Sequence, residues 1–413
     1  MAFMIKKYKI ELINILIVLS ILTCFSSAPY LGHYLFGNVY TLFSGILSIL
    51  IFAISYYCCG KYLDMWMKTI LFFMFSFIVY GCLMMVNIGD VSDFRKAIGI
   101  SIKCLYLIGS CYLMNKCYLK FTNCFLKINY WITIGSIILF FIVLLGILWD
   151  PIIFIKQDGR PHYLYFPLGA TNSRFIFGDI TFLRVAGYAD EPGAFALILT
   201  YLIVLNEFTV KSKKIRIVYL VGACLTFSMA FFITIIPIVL YWIKSRVLKF
   251  KLKGIIIFLT LFSVILCIPQ DNPIYSGVDA LIFRRFRKND LGDYNGDNRG
   301  YAVPIQIAGF KSSPFLGVGS SKQNVEKYEF GAPTFYSYLA MHGLYGTVLF
   351  YIPFLVVFFL NIHRKELLLL IAIALNYLQR PSIEEMFSLI CLSLIFYASR
   401  NEKSLNNSNN GII

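Results

Sequence analysis

Residues 69–88 have the sequence TILFFMFSFIVYGCLMMVNI, twenty consecutive residues without a charged side chain. A helix rises about 1.5 Å per residue, so this run spans about 30 Å, the thickness of the hydrocarbon core of a bilayer. The whole chain has the same character, because 59% of its 413 residues are hydrophobic, 17% are aromatic and only 14% are charged. This composition excludes a set of compact soluble domains and predicts an all-α, polytopic integral membrane protein.

Similar apolar runs recur along the chain and predict about twelve transmembrane helices. Their approximate bounds are Ile10–Ser27, Val39–Tyr57, Thr69–Ile88, Ala97–Asn115, Ile128–Trp149, Pro192–Phe208, Ile215–Phe227, Met229–Ile243, Gly254–Ile268, Leu344–Asn361, Leu367–Leu378 and Phe387–Ala398. The run 215–243 is long for one helix and divides at Thr226-Phe227-Ser228. We therefore treat 1–413 as one transmembrane domain with a polar, Asn-rich tail, 401–413, for which we expect disorder.

The distribution of charge predicts which side of the membrane each helix end faces, because Lys and Arg in short loops are retained in the cytoplasm. With a cytoplasmic N-terminus, the inner segments contain 21 basic and five acidic residues, a balance of +16 that equals the net charge of the chain. The short outer loops contain three basic residues, Arg95, Lys96 and Arg380. We therefore expect both termini in the cytoplasm and two long segments, 150–191 and 269–333, on the outer side.

The basic excess thus has a topological explanation, and no nucleic-acid-binding surface is needed to account for it. The eleven cysteines lie in or beside apolar runs and form no CxxC pair, which argues against a disulfide framework and a zinc site. Asp290, Asp293 and Asp297 resemble half a calcium loop, but the glycine and the terminal glutamate of such a loop are absent at the required spacing. We expect neither a metal nor a cofactor.

The first long segment ends in RVAGYADEP, residues 184–192, which contains candidate catalytic groups. Pro is favoured at the first position of a helix, and an acidic residue just before it accepts free amides. Asp190 or Glu191 therefore either caps the next helix or, at the mouth of a membrane cavity, serves as a general base. Arg184 either faces the same substrate or pairs with Asp190, since an arginine at membrane depth is costly unless it is paired.

The second long segment is richer in arginine. The cluster Arg284-Arg285-Phe286-Arg287-Lys288 suits either substrate binding or an amphipathic helix on the membrane surface. Arg299 precedes the turn-rich stretch Pro314-Phe315-Leu316-Gly317-Val318-Gly319, whose glycines allow backbone amides to approach a ligand. Lys103, inside the fourth predicted helix, is expected to extend towards the outer surface in preference to a role in the cavity.

Taken in order, five pieces of the sequence resemble the O-antigen polymerase and ligase superfamily of bacterial envelope glycosyltransferases. They are Arg184…Gly187…Glu191-Pro192 before a helix, Leu225-Thr226-Phe227-Ser228 at a mid-membrane break, Asn298-Arg299 in a large outer loop, Pro314…Gly317-Val318-Gly319, and Gly343-Leu344-Tyr345-Gly346 at a helix start. The ordered set covers about residues 180–350, and the number of predicted helices fits the rest of the chain.

The resemblance implies an inner-membrane enzyme that handles undecaprenyl-pyrophosphate-linked oligosaccharides in the periplasm. A polymerase transfers the growing glycan to the non-reducing end of a new lipid-linked repeat unit, whereas a ligase, the alternative, transfers it to lipid A core. The His-Asn pair usual in ligases is replaced around Ala332-Pro333-Thr334, and their frequent Arg after Thr-Phe-Ser is Met229, so polymerase activity is favoured. A lipid-linked oligosaccharide flippase or another transporter is the alternative from a different class. Membrane lipids are expected partners, and a chain-length regulator is a further candidate.

The expected reaction is a metal-independent, inverting single displacement. A diphosphate is a good leaving group whose developing charge needs neutralisation, and guanidinium groups offer paired charge-assisted hydrogen bonds. We assign that role to Arg184 and Arg299, and the role of general base to Glu191, with Asp190 second. The remaining candidate substrate contacts are Asp190, Tyr188, Arg285 and Arg287.

Overall fold

The computed structural model describes residues 2–26, 31–60, 62–147, 151–155, 161–165, 169–177, 180–189, 191–247, 269, 272–288, 299–332, 334–381 and 385–410. Within these ranges the chain forms thirteen α-helices and five short strands, so the helical class predicted from composition is confirmed. The helices are α1 (Ala2–Thr23), α2 (Leu31–Cys59), α3 (Met65–Ile88), α4 (Ser92–Leu144), α5 (Pro192–Phe208), α6 (Lys213–Leu225), α7 (Met229–Lys244), α8 (Pro273–Leu281), α9 (Val303–Ser312), α10 (Lys322–Lys327), α11 (Phe335–Leu360), α12 (Leu367–Gln379) and α13 (Met386–Asn410).

Four helices in the described part of the chain are long and apolar enough to cross a membrane, which supports the membrane character but not the full count of twelve. They are Val39–Cys59 within α2, and α3, α4 and α11. Shorter apolar helices lie at the positions of five more predicted crossings: Ile10–Thr23, Pro192–Phe208, Met229–Lys244, Leu367–Gln379 and Met386–Arg400. The predicted crossing 254–268 lies outside the described residues. Helix α13 continues to Asn410, into the tail for which the sequence predicts disorder.

Helix α4 contains two of the predicted crossings, joined without a loop. Its 53 residues would extend about 80 Å if straight, but Cys117 has non-helical angles, φ −136° and ψ 45°. Contacts with α13 show that the chain reverses there. Lys103 meets Glu385 near the start of α13, Tyr118 donates to the Leu394 carbonyl further along, and Phe125 packs back against Phe387.

The helix ends assigned to the cytoplasm by the charge pattern meet around Asp64. One of its carboxylate oxygens accepts from the Met67 amide and caps α3. The other accepts from the Asn115 side chain at 2.7 Å and from the Tyr397 hydroxyl at 2.6 Å. One short, half-buried acidic side chain thus ties α3, α4 and α13 together, and such hydrogen-bonded polar groups fix how helices pack.

A break between α6 and α7 occurs where the sequence predicts it. Helix α6 ends at Leu225 and α7 begins at Met229. Between them Phe227 adopts a left-handed conformation, φ 46°, and the Thr226 hydroxyl oxygen accepts from the Ser228 amide. A left-handed residue ends a helix and leaves backbone carbonyls to be satisfied by other groups.

Helix α11 is also broken, at Gly343, where φ is 61° and ψ is −172°. The segment 314–319 is inserted into this break. The Val318 and Gly319 amides donate to the carbonyls of Ala340 and Met341, and the Pro314 and Phe315 carbonyls accept from the amides of Leu344 and Tyr345. The backbone groups that the break removes from the helix are therefore satisfied by a second segment, as buried backbone requires.

The first long segment forms two small antiparallel sheets, which the sequence analysis did not predict. The strands are β1 (Ile152–Ile155), β2 (Pro161–Tyr165), β3 (Gly169–Thr171), β4 (Arg174–Phe177) and β5 (Ile180–Leu183), in the orders β1-β2-β3 and β4-β5. In the second sheet Arg174 pairs with Leu183 and Phe177 with Ile180. β5 leads directly to the segment that opens α5.

Helix α5 lies at the centre of the bundle. Fifteen of its residues are buried, on every side of the helix, so other elements surround it completely. Its first turn, at Pro192, is the point at which the chain passes from the sheet-forming segment into the helical core. The start of α5 therefore positions the candidate site.

Candidate functional site

Three charged side chains from distant parts of the chain meet at the start of α5. Glu191 precedes Pro192, Arg380 directly follows α12, and Arg299 precedes a short 3-10 helix, Gly300–Ala302. An Arg380 Nη2 donates to Glu191 Oε1, and Arg299 Nη2 lies 3.8 Å from the same oxygen. The three side chains are 25%, 19% and 25% exposed, in the order Glu191, Arg380, Arg299, so water and ligands can reach them.

Backbone groups fix the two arginines beside each other. Arg299 Nη1 donates to the Gln379 carbonyl at 2.8 Å, which places Arg299 next to Arg380. Gly193 allows Arg380 to lie over the first turn of α5, because a Cβ at that position would be 2.8 Å from Arg380 Nη2. Two guanidinium groups, one carboxylate and a helix N-terminus give a site of net positive potential. Such a site favours an anion with several oxygens, such as a diphosphate.

Glu191 occupies the N-cap position of α5, as the sequence predicts, but its side chain makes no capping hydrogen bond. It points instead to the two arginines. The alternative of helix capping by Glu191 is therefore wrong for its side chain, and the physical reason is that guanidinium groups bind a carboxylate more strongly than a backbone amide does. Asp190, the second candidate base, lies outside the described residues.

Arg184 is placed by contacts at the break between α6 and α7. Its Nε donates to the Thr226 carbonyl at 2.9 Å and its Nη2 to the Phe227 carbonyl at 3.2 Å, and the residue is buried. These are the carbonyls that the left-handed Phe227 removes from helical bonding. Arg184 was predicted to belong to the diphosphate clamp, whereas its contacts give the guanidinium group a role in holding the break.

The other predicted substrate contacts are distributed over two places. Tyr188 is turned into the bundle, where its hydroxyl donates to Asn129 Oδ1 and its ring packs edge-on against Phe195. Burial raises the pKa of the Tyr188 hydroxyl well above its usual value. Arg287 forms an ion pair with Asp279 at 2.6 Å. Neither residue belongs to the group of charged side chains around Glu191. Arg285 belongs to the 3-10 helix Phe283–Phe286, and its side chain lies outside the description.

A second group of charged residues lies on the inner face of α4. Lys103 Nζ is 3.7 Å from Glu385 Oε2, so the expectation that Lys103 extends alone to the surface is replaced by an ion pair within the bundle. Two turns earlier, Lys96 Nζ lies 3.1 Å from His342 Nε2 and 5.1 Å from the ring centre of Phe350. Lys96 therefore faces α11 just before the break at Gly343.

The structure brings several of the sequence segments with predicted site residues into contact. Arg184 contacts the Thr226-Phe227 break, Glu191 contacts Arg299, and segment 314–319 pairs with α11 on both sides of Gly343. Pieces that are degenerate in isolation are thus in pairwise contact in the fold.

Arg380 and Glu385 were not among the site residues predicted from the sequence. Both flank the short connection between α12 and α13, where Arg380 was counted only as a marker of topology. The available signal was an arginine directly before Pro381 in an outer loop otherwise free of basic residues. Within the described residues, no group of three or more His, Cys, Asp or Glu side chains is arranged to hold a metal.

The chain matches no known protein-family model, and no curated protein is detectably similar to it.

Proposed function

We propose that this protein is a membrane glycosyltransferase that polymerises O-antigen or a related surface polysaccharide from undecaprenyl-pyrophosphate-linked repeat units. The observation that carries the proposal is the convergence of Glu191, Arg299 and Arg380 at the start of the central helix. In the proposed transfer a diphosphate leaves and a hydroxyl loses its proton. Two guanidinium groups can neutralise the diphosphate, and a carboxylate can accept the proton.

The clamp for the leaving group consists of Arg299 and Arg380. In the structure both guanidinium groups lie on Glu191 Oε1. A diphosphate offers more charge and more acceptor oxygens than a single carboxylate, so a bound donor draws the guanidinium groups towards itself. Glu191 is released by the same movement, and its carboxylate becomes available beside the reacting sugar.

The reaction is a single displacement. A hydroxyl at the non-reducing end of the acceptor attacks the anomeric carbon of the donor from the face opposite the diphosphate. The bond from the anomeric carbon to the diphosphate oxygen breaks, and its electron pair leaves with the diphosphate, whose charge Arg299 and Arg380 neutralise. The hydroxyl proton passes to Glu191, and the new glycosidic bond has inverted configuration.

Arg184 supports this site indirectly. By binding the carbonyls of Thr226 and Phe227, it holds α6 and α7 against the segment that leads into Glu191. We therefore assign Arg184 a positioning role, in place of the clamp role suggested by the sequence.

The proposal is tested by complementation of a strain that lacks the gene, with lipopolysaccharide separated on a gel. Loss of a polymerase leaves core capped by a single repeat unit, loss of a ligase leaves bare core with polymer on its carrier, and loss of a flippase leaves no periplasmic repeat. We expect the single-repeat pattern, and we expect Arg299→Gln, Arg380→Gln and Glu191→Gln not to restore the ladder. Removal of one such group from a transition-state site costs about 10²–10³ in rate.

The matched control is Arg95→Gln, which removes an exposed arginine from the first turn of α4, next to another connection for which we expect an outer location. It should restore the full ladder. Full ladders from all three site variants at normal protein levels would reject the assignment, and a bare-core pattern in the deletion strain would replace the polymerase by a ligase.

A further inference from the structure

A cleft of about 320 Å³ lies where the β4–β5 hairpin meets α8 and the 3-10 helix Phe283–Phe286. Its walls include Phe177 from β4, Tyr275 and Asp279 from α8, and Arg284 and Arg287 from the turn that follows α8. The cleft lies between the two long segments for which the sequence predicts a location outside the membrane. It shares no residue with the Glu191 site. The volume is at the lower end of small-molecule sites, which occupy about 300–1,000 Å³.

The cleft is built on a close contact between a helix and a strand. Gly277 in α8 lies directly against the ring of Phe182 in β5, so closely that any side chain at Gly277 would overlap the ring. The Asn272 side chain accepts from the Ile274 amide at 2.8 Å and caps α8, with Pro273 in its first turn. These features fix α8 on the hairpin, so the cleft is preformed.

The charged side chains of the cleft differ in whether they form an ion pair. Arg287 and Asp279 form an ion pair at 2.6 Å and neutralise each other. Arg284 is exposed, and in the described part of the chain its side chain makes neither a hydrogen bond nor an ion pair. One guanidinium group is therefore available to a ligand, and the rings of Phe177 and Tyr275 lie in the same cleft.

We propose that this cleft binds a carboxylated sugar of the glycan, such as a hexuronic acid, at a distance from the bond-forming site. A guanidinium group binds a carboxylate through two parallel hydrogen bonds, and an aromatic ring packs on the apolar face of a sugar. The choice of a saccharide as ligand rests on the proposed function. Arg284 supplies the charge, the two rings supply the apolar contact, and Ser276, which also lines the cleft, offers a hydroxyl group to the hydroxyls of the sugar.

The test measures saccharide binding to the full-length protein in nanodiscs of zwitterionic lipid. The probe is a glucuronate-containing tetrasaccharide, and its control is the same compound with each carboxyl group reduced to an alcohol. We expect the acidic form to bind about tenfold more tightly than the reduced form, which corresponds to about 1.4 kcal/mol. Arg284→Gln should abolish this difference, Arg284→Lys should retain part of it, and Lys311→Gln, which removes an exposed cation on α9, should retain all of it.

Further arms separate this site from the clamp and from a lipid site. Arg299→Gln should weaken binding of inorganic pyrophosphate and leave the tetrasaccharide affinity unchanged, while Arg284→Gln should do the reverse. If the site-variant ladders are normal but Arg284→Gln still loses the acidic saccharide, the proposed function fails and the cleft assignment stands. Equal affinity of Arg284→Gln and the unchanged protein for the acidic saccharide overturns the assignment. The assignment is also overturned if Arg284→Gln loses binding of phosphatidylglycerol but keeps its affinity for the acidic saccharide.

Discussion

Glu191 engages two guanidinium groups through one carboxylate oxygen, and this arrangement makes it a competitor of the substrate as well as a base. Replacement of Glu191 by Gln removes the competing charge but keeps the shape of the side chain. We therefore expect Glu191→Gln to bind inorganic pyrophosphate more tightly than the unchanged protein, by about tenfold, and to lose polymerisation. Isothermal titration of the purified protein measures the first effect, and the lipopolysaccharide ladder measures the second.

The matched control is Glu326→Gln, an exposed carboxylate in the second long segment. It should leave pyrophosphate affinity unchanged. Weaker pyrophosphate binding by Glu191→Gln would mean that the carboxylate orders the arginines for the ligand, contrary to the competition described above.

Arg184 makes a different prediction, because its guanidinium donates to two backbone carbonyls. The Gln side chain is shorter and lacks the guanidinium fork, so it does not serve both carbonyls, and a buried carbonyl without a donor costs about 1–3 kcal/mol. We expect Arg184→Gln to lower the yield and the thermal unfolding temperature of the protein, while the activity of the folded fraction stays within a few-fold of normal. Activity per folded molecule, from size-exclusion chromatography and a polymerisation assay, is the readout. A well-folded but inactive Arg184→Gln protein would instead indicate that Arg184 binds the diphosphate leaving group.

At the scale of elements, the break in α11 depends on two glycines. Gly343 has φ 61°, Gly317 has φ 84°, and each lies against the backbone of the other's segment. Alanine at either position must adopt a conformation that costs about 1–3 kcal/mol and must also displace backbone atoms. Gly343→Ala and Gly317→Ala should therefore lower the thermal unfolding temperature in detergent. Gly331→Ala, where a Cβ would meet no atom within 4 Å, is the neutral control. An unchanged unfolding temperature in Gly343→Ala would contradict the inserted segment.

The elements show what sequence can predict. The end of α6 and the start of α7 follow from local residues, since the Thr226 hydroxyl donates to the Ala223 carbonyl and accepts from the Ser228 amide. The reversal at Cys117 was expected only as a loop, because the sequence does not show that one residue is enough to join two crossings. The strands were missed because they are three to five residues long and lie among turns, too short for alternation to be recognised.

The candidate site shows which residues could not be predicted from the sequence. Glu191 and Arg299 were chosen from their local context, and the structure places them in contact. Arg380 is 189 residues from Glu191, and a lone arginine in a short loop has the same appearance whether it marks topology or binds a ligand. Only the packing of α12 beside the start of α5 decides between these roles.

For the whole molecule, the balance of charge predicts the orientation in the membrane. With 21 basic residues on the inner segments, we expect a green fluorescent protein fused after residue 413 to fluoresce, since it folds in the cytoplasm. Alkaline phosphatase fused after residue 330 should be active, because it requires the periplasm. The reversed pattern would place Glu191, Arg299 and Arg380 on the cytoplasmic side, where a polymerase of flipped repeat units could not use them.

The insertion of segment 314–319 into α11 has a consequence for ancestry. Each of its four cross-segment hydrogen bonds joins main-chain atoms, which all residues but proline supply in full. Apart from Gly317, Gly319 and Gly343, whose φ angles are positive, the residues at these positions can be replaced by others while the backbone arrangement is retained. Distant homologues of this protein would therefore be found more readily by superposition of their backbones than by alignment of their amino-acid sequences.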